Sequence, residues 1–344
     1  MPSRAFITGL AGLTISANER AFLREALPWG LIIFKRNVST PEQVSDLTRS
    51  FRDIIGWEAP VLVDQEGGRV QRLGPPQWPA YPPGARYGAL YDREPKAGLA
   101  MARMAGHLIA SDLTALGIDV NCLPLADLPV AGSDGVIGDR AYGLEPAKVA
   151  RIAGAIAEGL LAGGVLPVLK HLPGHGRAMA DSHKALPVLS TDRATLESTD
   201  FAAFRPLAGL PLGMTAHVVF SAIDPVAPAT TSVTMVREVI RGFIGFQGLL
   251  MSDDISMGAL SGSIADRSRA ALSAGCDLVL HCNGDLREMT EVAGVVPQLA
   301  GEAARRAEAA LAQRKAPEQF DVEQARAVFA RMIGGEQLQR NPVS

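Results

Sequence analysis

Eight short apolar runs, each followed by a segment with helical spacing, are the feature that most limits how this chain can fold. The runs cover residues 5–7, 30–34, 60–63, 118–123, 165–169, 211–216, 248–251 and 277–280. Their length and their branched apolar side chains are typical of strands buried on both faces, as in a parallel sheet. The alternation predicts an α/β fold, a single (β/α)8 TIM-type barrel.

The segments between the runs carry signals for the starts and ends of helices. Thr40, Pro41 and Gln43 predict a helix start, and Gly56 predicts its end. Helices are predicted over residues 16–27, 41–55, 101–116, 147–161, 192–207, 233–244 and 264–274, and the sequence after the eighth run is expected to be helical to about residue 332. We expect residues 1–344 to form a single catalytic domain whose tail frays from about residue 333.

A doubly wound open sheet is the alternative fold for such an alternation. That fold places a Gly-x-Gly-x-x-Gly turn after a strand to bind phosphate, and none follows any of the eight runs. The barrel is therefore the better prediction.

Composition excludes several classes of partner. The 344 residues carry a net charge of -3, with 47% hydrophobic and 20% charged residues, so we expect no nucleic acid partner. No stretch has the roughly 20 apolar residues of a membrane span or the pattern of a signal peptide. Cys122, Cys276 and Cys282 are too sparse for a disulfide framework and are predicted to be core thiols. We expect a cytoplasmic protein that needs no cofactor and binds no membrane.

Polar side chains follow most of the predicted strands at their carboxyl ends. They are Asp64, Arg140, Lys170, His171, His217, Asp253 and His281. In a barrel this is the face where active sites lie.

The densest group of ionisable residues follows the fifth run. It contains Lys170, His171, His175, Asp181 and His183 on a segment that glycine and proline force to turn. Each residue alone could be a buried group satisfied by the backbone, but burying them together is costly unless they pair or react. The histidines and Asp181 are also possible metal ligands.

These residues allow acid/base and nucleophilic chemistry. Asp253 or Asp254 could attack as a carboxylate, and the other could cap the following helix, because adjacent strand residues point to opposite faces. His183 could transfer a proton near neutral pH, and Asp181 could accept a hydrogen bond from its imidazole.

The remaining polar residues predict a site for a sugar. Asp64 can accept from vicinal hydroxyls. Donors to hydroxyls and to an amide carbonyl are Arg72, Arg140, Lys170 and His171. Each of these residues could instead form a salt bridge between loops. For Glu66 and Arg69 this interpretation is as good as a role in binding.

Several motifs together resemble one enzyme family. Lys-His-Leu-Pro-Gly-His-Gly at 170–176 with Asp-Ser-His at 181–183 is similar to a motif of the β-N-acetylglucosaminidases of glycoside hydrolase family 3. Asp-Gln-Glu-Gly-Gly-Arg-Val at 64–70, Gly-Asp-Arg at 138–140 and Met-Ser-Asp-Asp at 251–254 resemble its other signatures in the same order. One departure is Ala-Asp-Leu at 126–128, where the order Asp-Val is expected.

The resemblance implies roles for individual residues. Asp253 would be the nucleophile of a retaining mechanism, His183 the general acid/base and Asp181 the residue that orients it. Those binding N-acetylglucosamine would be Asp64, Arg72, Arg140, Lys170 and His171. Single-domain bacterial members of this type remove N-acetylglucosamine from 1,6-anhydro-muropeptides in cytoplasmic cell-wall recycling, and so bear on cell shape and division. The small-molecule sugar is the expected partner, with no metal.

Two other functions stay open at this point. A metal-dependent barrel hydrolase could use the histidines, although such barrels usually have His-x-His on the first strand, where this chain has Thr8 and Gly9. The other function is a sugar-binding barrel without catalysis. Phosphorolysis could also accompany hydrolysis if the acid is a histidine.

Overall fold

The eight predicted runs form a closed barrel. The computed structural model describes residues 3–133, 135–179, 182 and 185–333. The barrel strands, β1 to β8, are Arg4–Thr8, Pro28–Ile33, Val61–Val63, Val120–Asn121, Leu166–Leu172, Leu212–Thr215, Leu249–Asp254 and Leu278–His281. Each strand is parallel to its neighbours in sequence, and β8 pairs with β1. The predicted (β/α)8 barrel is confirmed.

Helices surround the barrel. They are α1 (Ala17–Ala26), α2 (Pro41–Ile55), α3 (Gly84–Arg93), α4 (Pro95–Thr114), α5 (Pro146–Ala162), α6 (Arg193–Ser198), α7 (Asp200–Phe204), α8 (Ile264–Ala274), α9 (Leu286–Val295), α10 (Gly301–Leu311) and α11 (Val322–Ile333). The helix predicted after β6 is a π-helix, Met235–Phe243. The signals around α2 act as predicted, because the Thr40 hydroxyl accepts from the Gln43 amide and Gly56 ends the helix with φ 81°.

Two short strand pairs lie outside the barrel. Gln65–Gly67 and Val70–Gln71 form an antiparallel hairpin directly after β3. Val188–Leu189 pairs with Val219–Phe220 and joins the segment after β5 to the segment after β6. Both pairs follow carboxyl ends of strands, so they flank the face that carries the polar residues.

The apolar core has an inner and an outer part. Inside the barrel, side chains such as Ile32, Val120 and Met251 pack together, and Ala307 and Ala310 of α10 join them. Helix α10 therefore covers the amino-terminal end of the barrel. The outer part lies between the strands and the surrounding helices. The described cysteines are buried and free, as predicted.

Two buried aspartates repeat one arrangement at the amino-terminal end. Asp119 precedes β4 and Asp277 precedes β8, each two residues after a glycine with positive φ, Gly117 and Gly275. The Asp119 carboxylate accepts from the amide of Val61 at 2.8 Å. The Asp277 carboxylate likewise accepts from the amide of Leu250 at 2.9 Å. Each carboxylate therefore joins its own strand to the preceding one.

Each of these carboxylates also binds two arginines. Asp119 pairs with Arg52 at 3.1 Å and with Arg314. Asp277 pairs with Arg241 at 2.8 Å and with Arg306, on α10, at 2.9 Å. Because Arg306 and Arg314 belong to α10 and the turn that follows it, these pairs fix the helix that covers the barrel.

The single helix predicted over residues 192–207 is wrong. It is divided into α6, α7 and a 3-10 turn, Arg205–Leu207, and the break is at Thr199, with φ -121° and ψ -88°. The Thr199 hydroxyl donates to the Thr195 carbonyl at 2.6 Å, while the buried Asp200 carboxylate accepts from Arg177 at 2.5 Å. Burial of this ion pair outweighs the local helical pattern, because an unpaired buried carboxylate is costly.

Continuous helix after the eighth run is also wrong. Three helices, α9 to α11, are separated by segments that contain Pro297 and Pro317. Proline has no amide N–H and disfavours helical geometry in the preceding residue. Beyond Ile333, the tail that was expected to fray lies outside the described residues. No helix in the described part of the chain is long and apolar enough to cross a membrane.

We expect Asp277→Ala to lower the free energy of unfolding by roughly 3 kcal/mol, because it leaves Arg241 and Arg306 without their buried partner. Urea unfolding followed by circular dichroism measures the loss. The control is Asp46→Ala, which removes an exposed pair with Arg49 and should cost less than about 1 kcal/mol. Equal losses in the two variants would contradict the role assigned to Asp277.

Candidate active site

A buried network of charges lies at the carboxyl end of β3 and β5. The Lys170 ammonium donates to Asp64 at 3.0 Å and lies 2.7 Å from a Glu66 oxygen. Arg72 donates to the other Asp64 oxygen at 2.8 Å. Residues 64 and 170 are thus brought together by barrel closure, and their role in binding a substrate stays a prediction.

The network keeps its members charged. Burial by itself would raise the pKa of Asp64, but Lys170 and Arg72 outweigh burial and hold that pKa well below its usual range. Burial would lower the pKa of Lys170, but Asp64 and Glu66 raise it above its usual value. Asp64 is therefore an ionised acceptor at neutral pH, with oxygens that can bind further hydroxyl donors.

Glu66 completes the network and is the partner of Arg140. Nε and one terminal nitrogen of Arg140 donate to the two Glu66 oxygens at 2.9 and 2.8 Å. The remaining nitrogen donates to the Val136 carbonyl at 3.1 Å. The salt-bridge interpretation of Glu66 is thus the one that the structure shows. Arg140 and Lys170 share Glu66, and much of the donor capacity of Arg140 is used within the protein.

Arg69 also has the structural role that was considered for it. Its guanidinium is half exposed, lies 3.3 Å from Asp139 and donates to the carbonyl groups of Gly135 and Val136 at 2.6 Å. It joins the hairpin after β3 to the segment that contains Arg140.

Asp127 is the residue of this site that sequence reasoning missed. It is fully buried; one carboxylate oxygen lies 2.7 Å from His171 Nδ1, and the other accepts from the His175 amide at 2.6 Å. Burial would raise the pKa of Asp127, but His171 lowers it below its usual range. An acid inside an apolar stretch after β4 was the available signal, because such a group must have a partner.

The ionised Asp127 determines how His171 can act. A carboxylate only accepts, so Nδ1 of His171 carries the hydrogen. Nε2 is then an acceptor in the neutral ring and a donor only in the imidazolium. Among the described residues Nε2 has no hydrogen-bond partner, so it is the ring nitrogen left for a ligand.

His175 contacts the segment that carries the predicted acid/base residues. Its Nε2 lies 2.9 Å from the Ser182 hydroxyl. Burial, assisted by the charge of His171, lowers the pKa of His175 to about 4, so the ring is neutral at pH 7. Asp181 and His183, on either side of Ser182, lie outside the described residues, and their roles stay predictions.

Hydrogen bonding separates Asp253 from Asp254. The Asp254 carboxylate accepts from the amide of Ser256 at 3.0 Å, from its hydroxyl at 2.6 Å and from the Cys282 amide at 3.1 Å. It thus orders the turn after β7, whereas α8, expected to have an aspartate cap, is capped by Ser263. Among the hydrogen bonds of described residues, the Asp253 carboxylate accepts one, from the Asp254 amide at 2.7 Å.

Asp253 is ionised and surrounded by histidines. Burial would raise its pKa, but His217 and His171 lower it below the usual range. His217 is fixed beside it, with Nδ1 2.7 Å from the Thr230 hydroxyl and Nε2 3.0 Å from the Asp254 carbonyl. An ionised carboxylate with spare acceptor capacity is the group that a nucleophilic mechanism needs.

His281 does not belong to this group. Its Nε2 lies 3.0 Å from Glu288 of α9, so the ring faces the surrounding helices. No cluster of three histidine, cysteine or acidic side chains that could hold a metal ion occurs among residues 3–133, 135–179, 182 and 185–333.

The comparisons with known proteins place this site in a family. Residues 7–314 match the glycosyl hydrolase family 3 N terminal domain. The chain belongs to glycoside hydrolase family 3. The match extends from β1 beyond α10, so the whole barrel of this family 3 enzyme and all the strand ends described above lie within it.

Relatives with the same barrel agree with this assignment. The β-hexosaminidase of Alkalilimnicola ehrlichii is 43% identical over 281 residues, which are 80% of this chain and 79% of that protein. The structure of NagZ from Neisseria gonorrhoeae in complex with N-trifluoroacetyl-D-glucosamine is 31% identical, with a TM-score of 0.85 over 97% of this chain and 99% of that one. A structure of the Neisseria protein in complex with zinc ion has a TM-score of 0.83, also with 31% identity and with 97% of each chain covered. The family 3 chain is an enzyme of the β-hexosaminidase type.

We expect Glu66→Gln to destabilise this family 3 enzyme more at pH 7 than at pH 3. Burial would raise the pKa of Glu66, but Arg140 and Lys170 lower it to about 2. The unfolded value is about 4.3, so the stability due to ionised Glu66 is complete above that pH and is lost as pH falls toward the folded value. Urea unfolding at both pH values should show a difference from wild type that shrinks by roughly 2 kcal/mol at pH 3.

The matched control for Glu66 is Glu308→Gln on the exposed surface of α10. Its difference from wild type should be small at both pH values. A Glu66→Gln difference that is constant with pH would show that ionisation of Glu66 contributes nothing to folding.

We expect Asp127→Asn to lower kcat/KM for a chromogenic β-N-acetylglucosaminide by roughly tenfold or more, because His171 loses the carboxylate that orients it. Asp92→Asn, which alters an exposed pair with Lys148, is the control and should stay within about twofold. Equal activity of the Asp127 variant and wild type would remove Asp127 from the site.

Proposed function

We propose that this chain is a retaining exo-β-N-acetylglucosaminidase that forms a covalent glycosyl-enzyme on Asp253. The observation that carries the proposal is the contrast between Asp253 and Asp254. Asp254 has its carboxylate bonded to the turn and to Cys282, whereas Asp253 is ionised and bonded only by a backbone amide among the described residues. Asp253 is therefore the carboxylate available to attack an anomeric carbon.

Proton transfer is assigned to His183 in this proposal. As the imidazolium it gives a proton to the departing glycosidic oxygen while Asp253 attacks, and as the neutral imidazole it then takes a proton from the water that hydrolyses the glycosyl-enzyme. Asp181 accepts from the other ring nitrogen and stabilises the imidazolium. The described neighbour of both, Ser182, is bonded to His175, which supports placing this segment at the site.

Recognition of the sugar is assigned to the charged network. Asp64 accepts from hydroxyl groups, while Lys170 and Arg72 donate to them from positions fixed by Asp64 itself. Arg140 and His171 supply the remaining polar contacts, directed by Glu66 and Asp127. The N-trifluoroacetyl-D-glucosamine in the Neisseria NagZ structure supports N-acetylglucosamine as the sugar that this network binds.

The natural substrate that we propose is a fragment of peptidoglycan. Terminal β-linked N-acetylglucosamine on 1,6-anhydro-muropeptides would be removed during cell-wall recycling in the cytoplasm. The proposal rests on the likeness to NagZ and to the β-hexosaminidases, together with the motifs at residues 64–70 and 170–183.

The test compares hydrolysis of the nitrophenyl β-N-acetylglucosaminide and the matching β-glucoside, with a chelator present. Wild type should act on the acetamido sugar, and Asp253→Ala should lose activity by at least about 10³-fold. His183→Ala should lose activity mainly on substrates whose leaving group must be protonated as it departs. Turnover that disappears on chelation would favour a metal-dependent hydrolase, and binding without turnover would favour a sugar-binding protein.

A slow fluorinated N-acetylglucosamine derivative identifies the nucleophile directly. Peptide mapping should find the sugar on Asp253, and a label elsewhere would overturn the assignment. Comparing products in phosphate and in an inert buffer shows whether phosphorolysis accompanies hydrolysis.

A further inference from the structure

The hairpin after β3 carries three members of the charged network. Asp64 lies directly before its first strand, Glu66 lies within it, and Arg72 follows the second strand. The bond between Arg72 and Asp64 joins the two ends of the hairpin at 2.8 Å. The position of the hairpin therefore sets the position of the side chains proposed to bind the sugar.

Tyr81 binds the turn and the second strand of this hairpin through its backbone. Its carbonyl oxygen accepts from the Gly68 amide at 2.8 Å, and its amide donates to the Gln71 side chain at 2.9 Å. At Gly67, with φ 109°, a Cβ atom would lie 2.3 Å from the Pro82 carbonyl oxygen. The turn of the hairpin thus rests directly on the segment that contains Tyr81.

The side chain of Tyr81 extends in the opposite direction, toward the C-terminal helix. Its hydroxyl donates to Asp112 of α4 at 2.6 Å, and Arg326 of α11 donates to the other Asp112 oxygen. The Tyr81 ring also packs edge-on against Phe329 of α11, at 6.3 Å between centroids. Tyr81 is 4% exposed, so these contacts are shielded from water.

We propose that Tyr81 is a positioning residue for the sugar-binding hairpin. Asp112 of α4 and Arg326 of α11 fix Tyr81, and Tyr81 in turn fixes the hairpin. The inference rests on the proposed function, since it concerns the same site. Helix α11 supplies no member of the charged network, and Arg326 is 214 residues from Asp112 in sequence. Its contribution to the reaction therefore runs through Tyr81.

The charge balance explains why Arg326 is needed. Burial, followed by Asp112, raises the pKa of Tyr81 well above its usual value, so the hydroxyl keeps its hydrogen and donates. Without Arg326, the Asp112 side chain, which is 8% exposed, would have one side-chain donor among the described residues, the Tyr81 hydroxyl. A buried carboxylate that lacks donors draws water or moves toward solvent, and Tyr81 would lose its fixed partner.

The experiment measures steady-state kinetics on the nitrophenyl β-N-acetylglucosaminide for four variants. Tyr81→Phe and Arg326→Met should each raise KM roughly three- to tenfold while kcat stays within about twofold, because ground-state binding of the sugar is weakened. Arg326→Lys should recover most of the loss, since it restores a donor to Asp112. Arg331→Met is the matched control, because Arg331 is an exposed residue of α11 with no ion pair among the described residues, and it should match wild type.

A purely structural role gives a different result. Tyr81→Phe and Arg326→Met would then lower the melting temperature with KM unchanged, which would overturn the proposal. An equal rise of KM in Arg331→Met would overturn it as well, since the effect would not pass through Asp112.

Hydrogen exchange separates failure of this inference from failure of the proposed function. Mass spectrometry without any sugar should show faster exchange over residues 64–72 in Arg326→Met than in Arg331→Met. If wild type does not hydrolyse the substrate but this difference is present, the link between helix and hairpin stands and the function is wrong. If turnover is present and exchange is equal in the two variants, the function stands and the link is wrong.

Discussion

The site depends on one constraint, which is that several charges are buried together and must neutralise one another. Lys170 is nearly inaccessible to water, and its ammonium is stable there because Asp64 and Glu66 lie within 3.0 Å of it. Glu66 in turn needs Arg140, and Asp64 needs Arg72. Removing one partner leaves an uncompensated buried charge, so the network is fixed as a unit. Because these donors and acceptors are already ordered, binding hydroxyl groups to them costs little further side-chain entropy.

The barrel makes such a network possible because it brings the ends of distant strands together. Lys170 and Asp64 are 106 residues apart in sequence, yet they lie at the ends of β5 and β3. The opposite end of the barrel uses charges differently. Asp119 and Asp277 each bind a backbone amide and two arginines, so these charges join strands and helices.

The barrel and most of the site residues could be predicted from the sequence because the signals for both lie in short stretches of neighbouring residues. Strand length, apolar content and the polar residue that follows each strand are properties of a few consecutive residues. Asp127 was missed as part of the site, and Glu66 was given only a possible salt bridge without its partner, because their roles depend on residues far along the chain, His171 and Arg140. The break at Thr199 has the same cause, since burial of Asp200 beside Arg177 overrides a locally helical pattern.

Counting hydrogen bonds explains why two adjacent aspartates have different chemistry. Either one is a possible nucleophile from sequence, because both follow the same apolar strand. Asp254 uses both its oxygens on the turn after β7 and on Cys282, and these bonds stabilise the charge that an attack would consume. Asp253 has a single backbone donor among the described residues, and its charge is stabilised through space by His217 and His171. Electrostatic stabilisation of this kind keeps the carboxylate ionised and leaves its oxygen lone pairs free to form a bond to carbon.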